Sequence, residues 1–200
     1  MRQQIRLEHV ISFGDAIFAF SITFMAISIQ IPNLPENLTQ TQLLDRLMGL
    51  STHFEIYALS FFIIGIYWIA YHQILGHIAR SHGTMIWLNL GFLFSITLIS
   101  FAVDLQVDYG FYPLVFSIYA LVLILAGSLL AIIWMHAKKY ELIDSTLTPT
   151  AIQNITMQTI LTPVVFAISI VISLVNVQIA YYFWLIIIPA KIIINKRYLY

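Results

Sequence analysis

Asp15 is the residue whose type and place most invite chemistry, because it sits inside the run His9-Val10-Ile11-Ser12-Phe13-Gly14-Asp15-Ala16-Ile17-Phe18-Ala19-Phe20-Ser21-Ile22-Thr23. An ionised carboxylate in such an apolar stretch is costly and faces either a polar partner or a water-filled space. With His9 or His72 it could exchange protons, or it could anchor a polar network between helices. Trp68 and His72 are four residues apart and so stack on one helix face. His72 and His77 are five apart with no accompanying Glu, which is not the His pair of a zinc-binding helix, and no metal site is expected. Ser117 and Ser128 have no His or Asp nearby in sequence to activate a nucleophile, and the absence of cysteine removes thiol chemistry. The chain does not read as an enzyme, and no cofactor is expected.

The elements that must position these groups follow from composition. Of the 200 residues 60% are hydrophobic and only 9% charged, where a soluble domain carries about 25% charged residues. A soluble enzyme is therefore excluded. Nine Lys+Arg balance nine Asp+Glu, so no basic excess exists to hold a nucleic-acid backbone. A spanning helix needs about 20 mostly apolar residues, and six such stretches occur: 10–31, 54–76, 84–103, 111–135, 155–177 and 179–197. The expected class is all-α, an integral membrane protein of six transmembrane helices forming one domain over 1–200. Only Asn176 and Gln178 interrupt the last two spans, which demands a tight turn, and Pro189 is placed to kink the sixth.

If the chain starts inside, Arg2, Arg6, Arg80, Lys138, Lys139, Lys191, Lys196 and Arg197 fall on one side and only Arg46 on the other. Positive charge is retained on the cytoplasmic side, so both termini are expected there. The opposite loops carry Glu36, Asp45, Glu55, Asp104 and Asp108. That acidic face either concentrates cations or simply lacks positive charge. The long connection from Pro32 to His53 places Leu43, Leu44, Leu47, Met48 and Leu50 at helical spacing, which predicts an amphipathic helix before the second span. Asn37-Leu38-Thr39 is a glycosylation sequon of a kind common by chance, and no function is attached to it.

The order Phe13-Gly14-Asp15, Ala19, Thr23 resembles the first helix of the transmembrane protein 175 family of potassium channels, whose pattern is Arg-x-x-x-Phe-Ser-Asp. Gly65-Ile66-Tyr67-Trp68 followed by His72 is similar to the Gly-x-Tyr-Trp-x-x-x-His stretch of bacterial members, and Trp87-Leu88-Asn89-Leu90 resembles their next helix. The resemblance covers roughly the first hundred residues. It departs at His9, where the family has Arg, and at Gly14, where it has Ser; Arg6 lies one turn earlier on nearly the same face as His9.

The resemblance implies a homotetramer in a prokaryotic plasma membrane, surrounded by lipid, with the first helix of each subunit lining a central pore for potassium. It implies apolar constrictions at Phe20, Phe24 and Ile27 in place of a carbonyl filter, a contribution of Thr23 to potassium preference, and a polar network of Asp15, His9, Trp68, His72 and Asn89. The family usually has Ile or Leu where this chain has Phe20 and Phe24. Helical geometry can be set beside this. With Asp15 at zero and about 100° per residue, Thr23 falls near 80°, Ile27 near 120°, Phe20 near 140° and Phe24 near 180°. The four share one arc while Asp15 points to its side, an arrangement that suits a pore-facing stripe and equally suits ordinary packing or lipid contact. A small secondary transporter or proton-coupled permease using Asp15 and a nearby His is the alternative. The inverted repeats and broken helices common in transporters are not evident in the sequence.

Overall fold

A computed structural model describes residues 6–27, 38–80 and 82–197. These residues fold as α1 (Leu7–Ile27), α2 (Gln40–Met48), α3 (Ser51–Gly76), α4 (Gly83–Tyr109), α5 (Pro113–Lys139), α6 (Pro149–Ser173), α7 (Val177–Phe183), a 3-10 turn (Trp184–Ile186) and α8 (Ile187–Arg197). Six helical stretches are long and apolar enough to cross a membrane, with α2–α3 and α7–α8 each counting as one. The architecture is all-helical, as the six apolar stretches predict. Residues 28–31 of the first expected span, Pro32, Pro35, Glu36, Asn37 of the sequon and Arg2 lie outside the described residues.

Several helices outrun their apolar stretches, because hydrogen bonding and capping rather than hydropathy set their ends. The third span continues from 103 to Tyr109, and the Gln106 side-chain amide donates to the Gly110 carbonyl at 3.1 Å beyond its end. The fifth starts at Pro149, six residues early, where Thr148 Oγ1 accepts from the Ala151 N–H at 3.2 Å. α5 likewise starts on Pro113, a residue whose missing N–H costs nothing in the first turn, and closes with Lys138 and Lys139 in its last turn, where cations favour the helix dipole. The turn between spans five and six is only Leu174-Val175-Asn176, and Asn176 caps α7 by accepting from the Ile179 N–H at 3.0 Å. Pro189 cannot donate to the Leu185 carbonyl. The helix tightens to 3-10 over Trp184–Ile186 just before it.

The expected amphipathic helix exists as α2, closed by a reciprocal capping box between Thr39 and Gln42. Among the described residues nothing covers its apolar face, and Leu44 and Met48 stay 56% and 67% exposed. The core lies where α4 packs along α5 and α5 along α6, with α1 against α4 and α3. Phe92, Ile96, Phe116, Tyr119 and Trp134 are fully buried there. Between apolar helices the specific contacts are polar. Ser60 and Tyr119 share a hydrogen bond of 2.9 Å, Trp134 Nε1 donates to Thr156 Oγ1 at 2.8 Å, and Trp184 Nε1 donates to Ser169 Oγ at 2.8 Å. On the side of the chain ends, the α3–α4 and α5–α6 connections join through an antiparallel bridge of Ile78 and Ile143, with the Ala79 N–H donating to the Leu142 carbonyl at 2.8 Å.

Candidate functional site on the first helix

α1 has two faces, and its sequence sets both. Val10, Gly14, Phe18, Ser21 and Met25, spaced three or four apart, form the buried one. Phe18 meets the rings of Tyr71 on α3 and Phe92 on α4 at 5.6 and 6.0 Å between centroids. The Tyr71 hydroxyl donates to the Val10 carbonyl at 3.1 Å, and the Ser100 hydroxyl on α4 donates to the Ser21 carbonyl at 3.0 Å.

Gly14 is where Tyr71 comes closest. A Cβ added there would lie 2.7 Å from the ring's Cζ, which accounts for glycine where the family pattern has serine. Gly14→Ala is therefore expected to displace the Tyr71 ring and destabilise the protein by about 1–3 kcal/mol, the usual cost of overpacking. A thermal melt of the purified protein checks this; an unchanged midpoint would mean the ring yields freely.

This seating brings Asp15 to the edge of α3. The Trp68 indole donates to Asp15 Oδ1 at 2.8 Å and His72 Nε2 lies 2.7 Å from the same oxygen. The two rings are 4.6 Å apart, as their spacing of four residues requires. The side chains of His72 and Asp15 are 34% and 45% exposed in the single chain. Either protonation state of His72 can donate through Nε2–H, and the protonated one makes an ion pair.

The other two residues expected in this network are not joined to the carboxylate. His9 is exposed, and no hydrogen bond links it to Asp15 among the described residues. Asn89 is buried on α4, and among the described residues its Oδ1 has no hydrogen-bond partner. α3 thus serves two separate polar contacts, Asp15 with Trp68 and His72, and Tyr71 with the Val10 carbonyl. Sequence reasoning missed Tyr71. The available signal was Gly14, since a glycine inside a helix costs about 1 kcal/mol relative to alanine and marks a close approach.

Among the described residues nothing covers the opposite face of α1. Phe20, Phe24 and Ile27 are 60%, 49% and 69% exposed, with Ser12, Ala16 and Thr23 exposed beside them. Phe20 and Phe24 stack on each other at 5.6 Å. The Thr23 hydroxyl donates back to the Ala19 and Phe20 carbonyls at 2.9 and 3.0 Å, which leaves the acceptor side of its oxygen on the open face.

Residues 9–99 match the model of the family described as endosomal/lysosomal potassium channel TMEM175. A potassium channel of Chryseobacterium sp. strain P1-3 is 27% identical over 93 residues, which are 46% of this chain and 45% of that protein, so less than half the relative's length is matched. The human endosomal/lysosomal proton channel TMEM175 is 23% identical over 130 residues, 65% of this chain and 25% of the human one. In fold, the chain is similar to the crystal structure of a lysosomal potassium-selective channel TMEM175 homolog from Chamaesiphon minutus, with a TM-score of 0.76, 20% identity, and 96% and 97% of the two chains covered. The TMEM175 model thus matches the first three spans of the chain, and the likeness in fold extends over nearly all of it.

Proposed function

We propose that this chain forms a potassium-preferring leak channel, a homotetramer in a prokaryotic plasma membrane with its first helices around one central pore and both termini cytoplasmic. The observation that carries the reading is the two-faced first helix. One face is fixed to its own subunit through Gly14, Phe18 and Asp15, while Phe20, Thr23, Phe24 and Ile27 remain uncovered on the other. An apolar ring of Phe20, Phe24 and Ile27 offers an ion no replacement for its water and so gates by hydration. The match of residues 9–99 to the TMEM175 model, the potassium channels among the relatives and the excess of Lys and Arg on one side of the spans support the same reading.

The testing experiment is cation flux into liposomes holding the purified protein, with potassium and then sodium outside. Potassium flux above sodium flux is expected; no flux from intact oligomers would overturn the reading. Selectivity without a carbonyl filter falls to pore width and to hydroxyl dipoles such as Thr23. Thr23→Ala is expected to lower the potassium-over-sodium permeability ratio roughly three- to tenfold, the worth of about one hydrogen bond, with expression intact. Reversal potentials identical to wild type would count against that role.

A second reading draws on the 2.7 Å contact of His72 with Asp15, a pair able to exchange a proton, and on the human relative's being a proton channel. There the protein is a proton-coupled permease. Uptake driven by an imposed pH gradient and abolished in His72→Gln separates it from a channel, whose flux follows the potassium gradient alone.

A further inference from the structure

Lys191 stands on α8, six residues before the helix end at Arg197, which puts it about 9 Å inside that end. An ammonium at such depth needs a counter-charge or a route to the interface. Among the described residues no carboxylate lies within ion-pair distance of it. Lys191 instead borders a crevice of about 240 Å3 between α3, α6 and α8.

The walls of the crevice differ by chemistry. Ile66, Ile69, Ile188 and Ile192 line it with hydrocarbon, and three of these, Ile69, Ile188 and Ile192, are more than half exposed, so the crevice opens on the outer surface of the chain. Gln73 and Gln158 supply its polar groups beside Lys191. A recess of about 20 Å3 continues past them to Thr159 and Thr162, room for a single oxygen-sized group. Gln158 also starts a polar ladder toward the helix end: its amide donates to Asn154 Oδ1 at 2.8 Å, and the Asn154 amide donates to Asn195 Oδ1 at 3.0 Å. One cation and two amides therefore sit together beside an isoleucine-lined slot.

We infer that this crevice binds an anionic phospholipid from the leaflet on the side of the chain's ends, with its phosphate at Lys191, Gln73 and Gln158 and an acyl chain along Ile69, Ile188 and Ile192. Basic pockets between spanning helices hold anionic headgroups in this way. The site lies on the other elements from the α1 stripe and does not depend on ion conduction.

The test uses the full chain in neutral detergent, with native mass spectrometry counting retained lipid after addition of dioleoyl phosphatidylglycerol, dioleoyl phosphatidylcholine or inorganic phosphate. Phosphatidylglycerol should be retained, phosphatidylcholine should not, and phosphate should bind far more weakly than the lipid. Lys191→Gln should weaken phosphatidylglycerol binding about tenfold, the loss of one charge-assisted contact, whereas Lys191→Arg and the exposed Lys196→Gln should keep it. Equal retention of the two lipids, phosphate binding as tight as the lipid, undiminished binding in Lys191→Gln, or an equal loss in Lys196→Gln would each overturn the assignment. So would a wild-type oligomer that retains no lipid because a second copy closes the crevice. Should Lys191→Gln fail to fold, Ile69→Trp fills the mouth and leaves the charge in place; it should abolish retention, and normal retention in it would refute the site.

Discussion

Phe20→Ala is expected to raise cation flux about tenfold in liposomes, equivalent to ~1.4 kcal/mol off the barrier to passage. Phe20 is 60% exposed in the chain and its ring meets that of Phe24, so truncation removes the apolar ring from the proposed pore while leaving the subunit's own core intact. The subunit's stability should change by no more than the roughly 0.5 kcal/mol typical of surface positions. Phe18, two residues earlier on the buried face, provides the contrast. It is 1% exposed between Tyr71 and Phe92, and Phe18→Ala should cost about 3–5 kcal/mol and deplete folded protein. Flux that stays at the wild-type level in Phe20→Ala, with oligomers intact, would remove this stripe from the ion path.

The second large effect is expected at Asp15. Trp68 and His72 both donate to a single oxygen of its carboxylate, and hydrogen bonds to a charged group are worth about 1.5–3 kcal/mol each. Asp15→Ala removes both and leaves two ring N–H groups without an acceptor. Partial exposure of the pair moderates the loss, and a total of about 2–4 kcal/mol is expected. Because these bonds fix α1 against α3 and Asp15 lies to the side of the Phe20–Ile27 stripe, the loss should appear as a smaller oligomer fraction in size-exclusion and crosslinking experiments. Ion preference should hold. A stable oligomer with altered preference would instead place Asp15 in the pathway. Asp15→Asn, which keeps an acceptor oxygen, should retain most of the assembly.

The sixfold crossing was legible because bilayer thickness imposes a length and polarity that composition reveals directly. Helix ends were less so. Gln106, Thr148 and Asn176 extend or cap helices through side-chain hydrogen bonds, which hydropathy does not register. The meeting of Asp15 with Trp68 and His72 followed from the family motif and from the spacing of the last two on one face. Helical period alone sets Asp15 to the side of the Phe20–Ile27 stripe. A motif gives membership of a helix and not the direction of a side chain, and within the single chain neither His9 nor Asn89 is hydrogen-bonded to Asp15 among the described residues.

The Asp15 contacts also order events during synthesis. His72 follows Asp15 by 57 residues, and at about 5–20 residues per second the ribosome needs roughly 3–11 s to supply it. For that interval the first span exists without either donor from α3, and the Ser100 hydroxyl that ties Ser21 comes later still, 79 residues on. The first helix is thus made well before the groups that fasten it. A nascent chain cut short of Trp68 should therefore insert its first span less firmly than one that reaches His72.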